Sequence, residues 1–269
     1  MPEGDSVYRA ARRLDQRLAG TSVVRSDFRV PQHATADLAG ALVLGTASRG
    51  KHLLTRFDLA GERLTLHTHL RMDGEWTVLA PGKVLPRRLD PDVRVLLATT
   101  GPTALALRMP VVELLPTAEE ESVVGHLGPD LLDEVTPRAE IVAGAVERLG
   151  RRPDREVKAA LLDQRNLAGI GNLWADELCY LRGLHPSTPV GRVELEPLVR
   201  LAVKALRFSV SPQGAAQVTT GDTRRGQQHW VSGRAGEPCR RCGTRIEVVA
   251  EVPGDPERRR TWWCPNCQR

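Results

Sequence analysis

Four of the five cysteines form two C-x-x-C pairs near the carboxyl end, and this spacing constrains the fold more than any other feature of the sequence. Cys239 and Cys242 precede a segment of 21 residues, and Cys264 and Cys267 follow it. Four thiolates suit a tetrahedral zinc ion that is closed to solvent. The alternative, a redox dithiol, would need only one pair and a thioredoxin-like βαβ context. We therefore expect one structural zinc ion bound by these four cysteines.

The segment between the two pairs predicts a zinc-pinned β-hairpin. RIEVVAEV (245–252) and RRTWWC (259–264) are β-prone, and PGDP (253–256) has the composition of a turn. An arginine run, 258–260, falls on the returning strand of this predicted hairpin. Two interpretations of the run stay open: a solvated charge run, or an arginine fork that binds a phosphate.

Residues 1–115 predict a β-sandwich or barrel with a leading helix. Apolar residues recur at helical spacing in the first element, where Asp5 or Ser6 can cap the start and Gly20 can end the helix. Seven β-prone runs separated by Gly, Pro and Asp follow it: 22–24, 42–44, 52–57, 63–70, 75–79, 93–99 and 103–109. Short strands at this spacing are typical of an all-β domain.

The composition changes after this β-rich region. Residues 116–137 are acidic and turn-rich, and we interpret them as an interdomain linker. Helical patterns follow near 137–149, 154–164, 172–182 and 194–210. The sequence thus predicts an α+β chain with four parts: a β-sandwich domain (1–115), the linker (116–137), a helical domain (138–238) and a zinc finger (239–269).

A glycine-rich turn interrupts the helical region at residues 166–172, N-L-A-G-I-G-N. A turn of this kind that opens a helix leaves backbone N–H groups pointing outward, and these groups together with the helix dipole attract phosphate. Asn172 could donate to such a phosphate, or it could simply cap a helical hairpin. Residues 161–186 alone leave both interpretations open.

The amino end, M-P-E-G-D, contains a candidate nucleophile. Removal of Met1 would leave Pro2 as a free secondary amine, and an α-amino group has a reference pKa of about 7.7–8.0. Its neutral form can attack a carbon such as C1′ of a sugar, and Glu3 could then move protons or stabilise the resulting cation. Many chains begin Met-Pro, however, and an acid near a helix start also suits the dipole.

The composition bounds the function class only loosely. The formal net charge is +5 and the isoelectric point is about 9.2, which fits a polyanion-binding protein without proving one. Arginine dominates the cations, and only four residues are lysine. One of them, Lys51, begins a predicted strand and can act as a general acid, although an ordinary surface lysine is the simpler interpretation. The sequence has no run of about 20 apolar residues and no signal-peptide core, so we expect a cytoplasmic protein without a membrane partner.

Four separated motifs together resemble the formamidopyrimidine-DNA glycosylase / endonuclease VIII family. They are PEGD at the amino end, GKHLL near residue 50, GIGN before a helix, and the four-cysteine hairpin. RTWWCPNCQ (260–268) resembles the zinc-finger ending of that family, and HLRMDGEW (69–76) resembles its HLGMSG-type loop. The resemblance spans essentially the whole chain in the same motif order. It implies a β-sandwich domain, a helix–two-turns–helix domain and a zinc finger.

The resemblance also implies roles for individual residues. Pro2 would be the Schiff-base nucleophile, and Glu3 would assist sugar ring opening and proton transfer. Lys51 would donate a proton and contact DNA phosphate. Asn172 and Arg259 would hold the phosphates that flank the lesion.

Met72, in the 69–76 loop, is the candidate wedge for the gap left by a flipped base, since an apolar side chain can occupy unstacked space. The alternative role for Met72 is that of a core methionine. The resemblance also implies that the four cysteines bind zinc.

The activity implied is a bifunctional DNA glycosylase / AP lyase of base excision repair that acts as a monomer on damaged DNA. A Pro2 Schiff base would expel the base and permit β- and then δ-elimination. Residues 105–115 lack a DPRRFG-like segment and residues 219–239 are short, and both features favour the endonuclease VIII branch and oxidised pyrimidines. Arg71 and Asp73 stand in a loop that is otherwise closer to the guanine-lesion form.

Three alternatives stay open on the sequence alone. The first is a formamidopyrimidine/8-oxoguanine glycosylase, which shares the same chemistry. The second is a non-catalytic zinc protein that binds damaged DNA and leaves it uncut. The third is an RNA-associated zinc ribbon, which leaves the PEGD start unexplained.

Overall fold

A computed structural model describes residues 2–249 and 259–269. The chain divides into two compact units. The first unit comprises the first two residues and Val7–His126, and the second comprises Glu3–Ser6 and Leu127–Arg269. Among the described residues, no helix has both the length and the apolar composition needed to cross a bilayer.

The first unit contains two four-stranded antiparallel sheets behind a leading helix, α1 (Gly4–Leu18). Its strands are β1 (Val23–Phe28), β2 (Leu42–Arg49), β3 (His52–Leu59), β4 (Glu62–His69), β5 (Glu75–Leu79), β6 (Val93–Thr99), β7 (Thr103–Leu107) and β8 (Val111–Pro116). The sheet orders are β1-β6-β7-β5 and β2-β3-β4-β8. The predicted α+β class with an amino-terminal sheet domain and leading helix is therefore confirmed.

Helix α1 buries one apolar stripe in the core of the first unit. Val7, Ala11, Leu14 and Leu18 are each at most 2% exposed. Burial of each large aliphatic side chain contributes about 1.5–3 kcal/mol, and that contribution holds the helix against the sheets. The helix begins at Gly4, ahead of the predicted caps, and Gly20 follows it with φ +78°.

Strand β8 was not predicted from the sequence, and it completes the second sheet by pairing with β4. The segment 116–137, interpreted as a linker, begins at the end of β8 and includes the short helix α2 (Glu120–Val124). Arg56 of β3 donates to both carboxylate oxygens of Glu120 at 2.7 Å, so α2 is tied to the sheet.

The second unit contains helices α3 (Arg138–Gly150), α4 (Val157–Leu162), α5 (Asn172–Arg182) and α6 (Leu195–Val210). The bounds of α5 coincide with those predicted, whereas α4 is shorter than the predicted 154–164. Gly183 ends α5 in the left-handed conformation, with φ +69°. The described residues also include four short 3₁₀ segments: Pro31–His33, Arg87–Asp92, Thr117–Glu119 and Val190–Arg192.

A short hairpin closes the carboxyl end of the second unit. Strand β9 (Glu247–Val249) pairs antiparallel with β10 (Thr261–Trp263). The predicted turn at 253–256 and Arg258 lie outside the described residues. The sequence placed Arg259 and Arg260 on the returning strand, but β10 begins at Thr261, whose partner Val249 is the last residue of β9.

Candidate nucleic-acid interface and metal site

The Glu3 side chain is anchored at the amino end of helix α5. It is 1% exposed. One carboxylate oxygen accepts the N–H groups of Gly171 at 3.0 Å and Trp174 at 3.2 Å, and the other accepts that of Leu173 at 2.8 Å. The first N–H groups of a helix have no partner inside the helix, and they stabilise an anionic group. Phosphate binding by the N–H groups of this turn was one of two interpretations that the sequence left open, and the chain's own carboxylate accepts three of these groups.

Glycines allow this close approach of the chain to the 166–172 turn. Gly4 donates its N–H to the carbonyl of Gly169 at 2.8 Å, and a Cβ at Gly4 would lie 2.7 Å from the Cα of Gly169. A Cβ at Gly171 would lie 2.3 Å from the Glu3 carboxyl carbon. Both positions therefore exclude a side chain. Pro2, which is half-buried, directly precedes the anchored Glu3.

Asn172 is the first residue of α5 and does not cap it. The N-cap position is taken by Gly171, without a side-chain hydrogen bond. The Asn172 amide donates through Nδ2 to the carbonyl of Arg260 at 2.9 Å, which connects α5 to the start of β10. The interpretation of Asn172 as a simple cap is thus wrong. Arg259 is half-buried and Arg260 is exposed.

A buried ion pair between Lys158 and Asp176, which the sequence analysis missed, also contacts the backbone carbonyl of Arg260. The Lys158 ammonium lies 2.7 Å from Asp176 Oδ1. It also donates to the Arg260 carbonyl at 2.9 Å and to Thr261 Oγ1 at 2.8 Å. Burial raises the pKa of Asp176, and the nearby Lys158 opposes that shift. The one feature of the sequence that could have drawn attention to Lys158 is the rarity of lysine, since the chain has only four.

Glu177 is a second buried carboxylate that the sequence analysis missed. Its oxygens accept the N–H groups of Trp230, Val231 and Ser232, each at 2.8 Å, and it also accepts a hydrogen bond from the Thr219 hydroxyl. A fully buried carboxylate therefore orders the segment 219–232, which has no regular secondary structure.

The four cysteines predicted to bind zinc lie together in the second unit. Their sulfur atoms all lie within 4.8 Å of one another. Cys242 and Cys264 are separated by 3.5 Å between sulfurs, and Cys239 and Cys267 by 3.9 Å. Tetrahedral zinc with Zn–S bonds of about 2.3 Å requires sulfur separations of about 3.8 Å. The cluster therefore fits a metal ion with four thiolate ligands.

The surroundings act differently on the four thiols, because burial raises the pKa of Cys264 and Cys267. Hydrogen bonds from Thr244 and then Asn266 lower the pKa of the Cys242 thiol to about 5. The Tyr180 hydroxyl lies 3.3 Å from the sulfur of Cys239. Such contacts around a metal site orient the ligands and tune them.

In the first unit, the candidate residues lie on turns at the ends of strands. Lys51 is half-buried in the two-residue turn between β2 and β3, where Gly50 has φ +58°. Met72 lies in the connection from β4 to β5 and is 63% exposed. Its interpretation as a core methionine is therefore wrong, because Met109, at 3% exposed, occupies the core of this unit instead.

Comparisons with known proteins agree with this architecture. Residues 1–109 match the formamidopyrimidine-DNA glycosylase N-terminal domain, and residues 127–216 match the formamidopyrimidine-DNA glycosylase H2TH domain. The chain is 48% identical over its whole length to a probable endonuclease 8 2 of Streptomyces coelicolor, with 94% of that protein covered. It is 42% identical to the DNA-(apurinic or apyrimidinic site) lyase Nei2 of Mycolicibacterium smegmatis, covering 100% of the chain and 99% of that protein.

A solved structure shares the fold. The crystal structure of Lactococcus lactis Fpg with DNA containing N7-benzyl-Fapy-dG superposes with a TM-score of 0.79, covers 100% of both chains and is 22% identical. The two family domains and the full-length relatives show that this chain belongs to the formamidopyrimidine-DNA glycosylase / endonuclease VIII family. The resemblance found in the sequence motifs is thus confirmed.

Proposed function

We propose that the protein is a bifunctional DNA glycosylase / AP lyase of base excision repair. The anchoring of Glu3 carries this proposal. Three backbone N–H groups hold its carboxylate, so the residue next to Pro2 has a defined position at the start of α5. The relatives named endonuclease 8 and DNA-(apurinic or apyrimidinic site) lyase support the same activity.

Pro2 is the proposed nucleophile once Met1 is removed. Its neutral secondary amine attacks C1′ of the damaged nucleoside, and the C1′–N bond to the base breaks with its electron pair passing to the base, which takes up a proton. The attached amine then loses its proton, and the C1′–O4′ bond breaks as O4′ takes up a proton, which leaves an open-chain iminium ion. The iminium acidifies the C2′ proton, which permits β- and then δ-elimination.

Glu3 and Lys51 have complementary proposed roles. The three N–H donors stabilise the negative charge of the Glu3 carboxylate, so we assign it to stabilising the developing cation and to assisting ring opening. Lys51 donates a proton to the departing base, since a lysine ammonium can act as a general acid whereas arginine essentially cannot.

We further propose that Asn172 and Arg259 hold phosphates near the lesion and that Met72 fills the gap left by the flipped base. The Asn172 contact with Arg260 supports a common phosphate-binding role for the α5 start and the hairpin. The exposure of Met72 supports the wedge role, because a wedge must reach the base stack.

The metal that fits the four cysteines best is one structural zinc ion, bound by Cys239, Cys242, Cys264 and Cys267. Four thiolates complete the coordination and leave no position for water, so the ion would stabilise the hairpin without taking part in the reaction. The hairpin would then present Arg259 to DNA.

We propose oxidised pyrimidines as the favoured substrates, supported by relatives that are named endonuclease 8. We also propose that the protein acts on damaged DNA as a monomer in the cytoplasm, without a membrane partner. An excision panel over thymine glycol, 8-oxoguanine and formamidopyrimidine lesions tests the substrate class directly.

Borohydride trapping tests the reaction itself. Sodium borohydride should reduce the iminium to a stable protein–DNA adduct. Peptide mass spectrometry should then locate the attached DNA at Pro2. Absence of an adduct with both abasic and thymine-glycol DNA, in protein whose Met1 is shown to be removed, would refute the enzyme proposal. Tight binding of abasic DNA without cleavage would instead indicate a non-catalytic damage-binding protein.

Glu3→Gln should impair base removal while DNA binding stays within about threefold of wild type. Its matched control is Glu62→Gln, an exposed acid on β4. Because glutamine cannot satisfy three N–H donors as a carboxylate does, thermal unfolding of the variant should be measured alongside.

A further inference from the structure

Four of the seven histidines form a cluster in the first unit: His52, His67, His69 and His126. The ring of His52 lies at the centre of this histidine cluster. Its centroid is 5.0 Å from that of His67, 4.8 Å from that of His69 and 6.1 Å from that of His126. Nothing in the proposed reaction yet uses these side chains.

The sheet register brings three of these histidines and Glu113 onto three neighbouring strands. His52 of β3 is paired with His69 of β4, and His67 of β4 is paired with Glu113 of β8. Since side chains alternate between the faces of a strand, these four share one face of the sheet. The adjacent residues Leu53, Leu66 and Val112 belong to the apolar core, so the cluster lies on the opposite, polar face.

Hydrogen bonds connect three of these side chains in series. His67 Nδ1 lies 2.7 Å from Glu113 Oε2, and His67 Nε2 lies 2.8 Å from His52 Nδ1. An ionised carboxylate can only accept, so Nδ1 of His67 carries the proton and its Nε2 is an acceptor. His52 must then donate from Nδ1, which leaves its own Nε2 as an unprotonated acceptor. The carboxylate thus sets the tautomer of both rings in turn.

The environment keeps His52 neutral. Burial, followed by the effects of His69, His67, His126 and Lys51, lowers the pKa of His52 to about 3. The side chain of His67 is only 4% exposed, whereas that of Glu113 is 48% exposed and reaches solvent. At neutral pH the series therefore has its charge at the outer end and a neutral ring at the inner end.

The inner end of the series adjoins both candidate segments of the first unit. His52 directly follows Lys51 at the β2–β3 turn, and the Lys51 charge contributes to lowering the pKa of His52. On the paired strand, Nδ1 of His69 accepts the N–H of Arg71 at 3.1 Å, which fixes the start of the loop that contains Met72.

We propose that Glu113, His67 and His52 form a positioning relay for Lys51, in which the neutral Nε2 of His52 acts as a hydrogen-bond acceptor that orients the Lys51 ammonium toward the departing base. His52 is a positioning residue, since it acts through Lys51. The relay rests on the proposed glycosylase function.

The test compares two reactions of one protein. Single-turnover removal of thymine glycol requires a proton for the departing base, whereas cleavage of a preformed abasic site does not. His52→Leu should slow base removal about tenfold, within the range of general acid catalysis, and change abasic-site cleavage less than about twofold. The alkaline limb of the pH–rate profile should move to lower pH, because the Lys51 ammonium loses an acceptor that stabilises it.

Two further variants separate positioning from folding. His52→Gln retains an acceptor oxygen and should recover most of the rate and the wild-type pH limb. Glu113→Gln should lower the rate of base removal, because the side chain at 113 would no longer fix the tautomers of His67 and His52. Glu119→Gln, which replaces an exposed acid in the same unit, should leave that rate unchanged. A structural role would slow both reactions equally and leave the pH limb in place, and that result would overturn the relay. If wild-type protein cleaves neither substrate, the proposed function fails instead.

Discussion

The two units hold their candidate functional residues in different ways. In the first unit, Lys51 and Met72 lie on connections between strands, in front of a continuous apolar core. In the second unit, Glu3, Asn172 and the cysteines are bound to backbone groups or to one another. The comparison indicates that exposed Met72 of the first unit can be replaced at little cost to the fold, whereas Glu3, Asn172 and the cysteines are also part of the structure of the second unit.

Loss of the metal ligand set should produce the largest effect. Structural zinc contributes an apparent ~10–16 kcal/mol to the folding of small zinc modules. Cys264→Ser should therefore abolish zinc binding, unfold the hairpin and lower DNA affinity by more than about 100-fold. Metal content and fluorescence anisotropy measure the two quantities. The first unit should retain its structure, and hydrogen exchange of its β-strand peptides checks that expectation. An equal loss of hydrogen-exchange protection in both units would contradict the inferred difference between them.

Removal of one partner of the buried ion pair should be the next largest effect. Asp176→Ala leaves the Lys158 ammonium buried without its counter-charge, which costs about 3–5 kcal/mol. The matched control is Glu196→Ala, which removes the exposed partner of Arg200 and should cost at most about 0.5 kcal/mol. Urea denaturation measures both. A cost below about 1 kcal/mol for Asp176→Ala would show that the second unit is less dependent on polar contacts than we infer.

The contribution of His52 to the pH dependence of stability should be smaller, and it arises in the first unit. The pKa of His52 falls from 6.5 to about 3 on folding, so the unfolded chain takes up a proton as pH falls below 6.5 while the folded chain does not. The contribution of His52 to the free energy of unfolding is therefore fully present above pH 6.5 and is lost progressively toward pH 3. Between pH 7 and pH 5 the loss should be about 1–2 kcal/mol. His52→Leu should flatten this dependence in urea denaturation, and an unchanged slope would contradict it.

Replacement of the candidate wedge should have the smallest effect on stability. Met72→Ala should change the free energy of unfolding by at most about 0.5 kcal/mol because the side chain is exposed. Met109→Ala, in the core of the same unit, should cost about 2–5 kcal/mol. Despite its stability, the Met72→Ala variant should excise bases from duplex DNA several-fold more slowly. Unchanged excision would remove Met72 from the site.

The sequence predicted elements whose signal is local. Strands β5 and β6 and helix α5 have the predicted bounds, because alternating or helical apolar patterns ended at clear breaking residues. Strand β8 was missed because prolines at 110 and 116 flank a short apolar run, and proline lowers the expectation of a strand. The four-part domain division stays a prediction.

The site could be predicted only where its residues belong to motifs. Cysteine spacing indicated the metal cluster, and PEGD and GIGN drew attention to Glu3 and Asn172. The burial of Lys158 and Glu177 could not be predicted, because a charged residue in a helix normally faces solvent. The hydrogen-bond acceptors of Lys158 in the hairpin lie about 100 residues away in the chain, and the donors to Glu177 lie 42–55 residues away, so only the folded structure reveals them.

The anchored Glu3 has a practical consequence for how the protein is produced. A peptide fused ahead of Pro2 would turn its amine into an amide nitrogen, which has no lone pair available for attack on a sugar. The carboxylate of Glu3 could still reach α5, so we expect such a fusion to fold and to bind DNA while remaining chemically silent. Under the role proposed for Pro2, we expect recombinant protein with a blocked amino end to give negative turnover assays, so purification handles belong after Arg269.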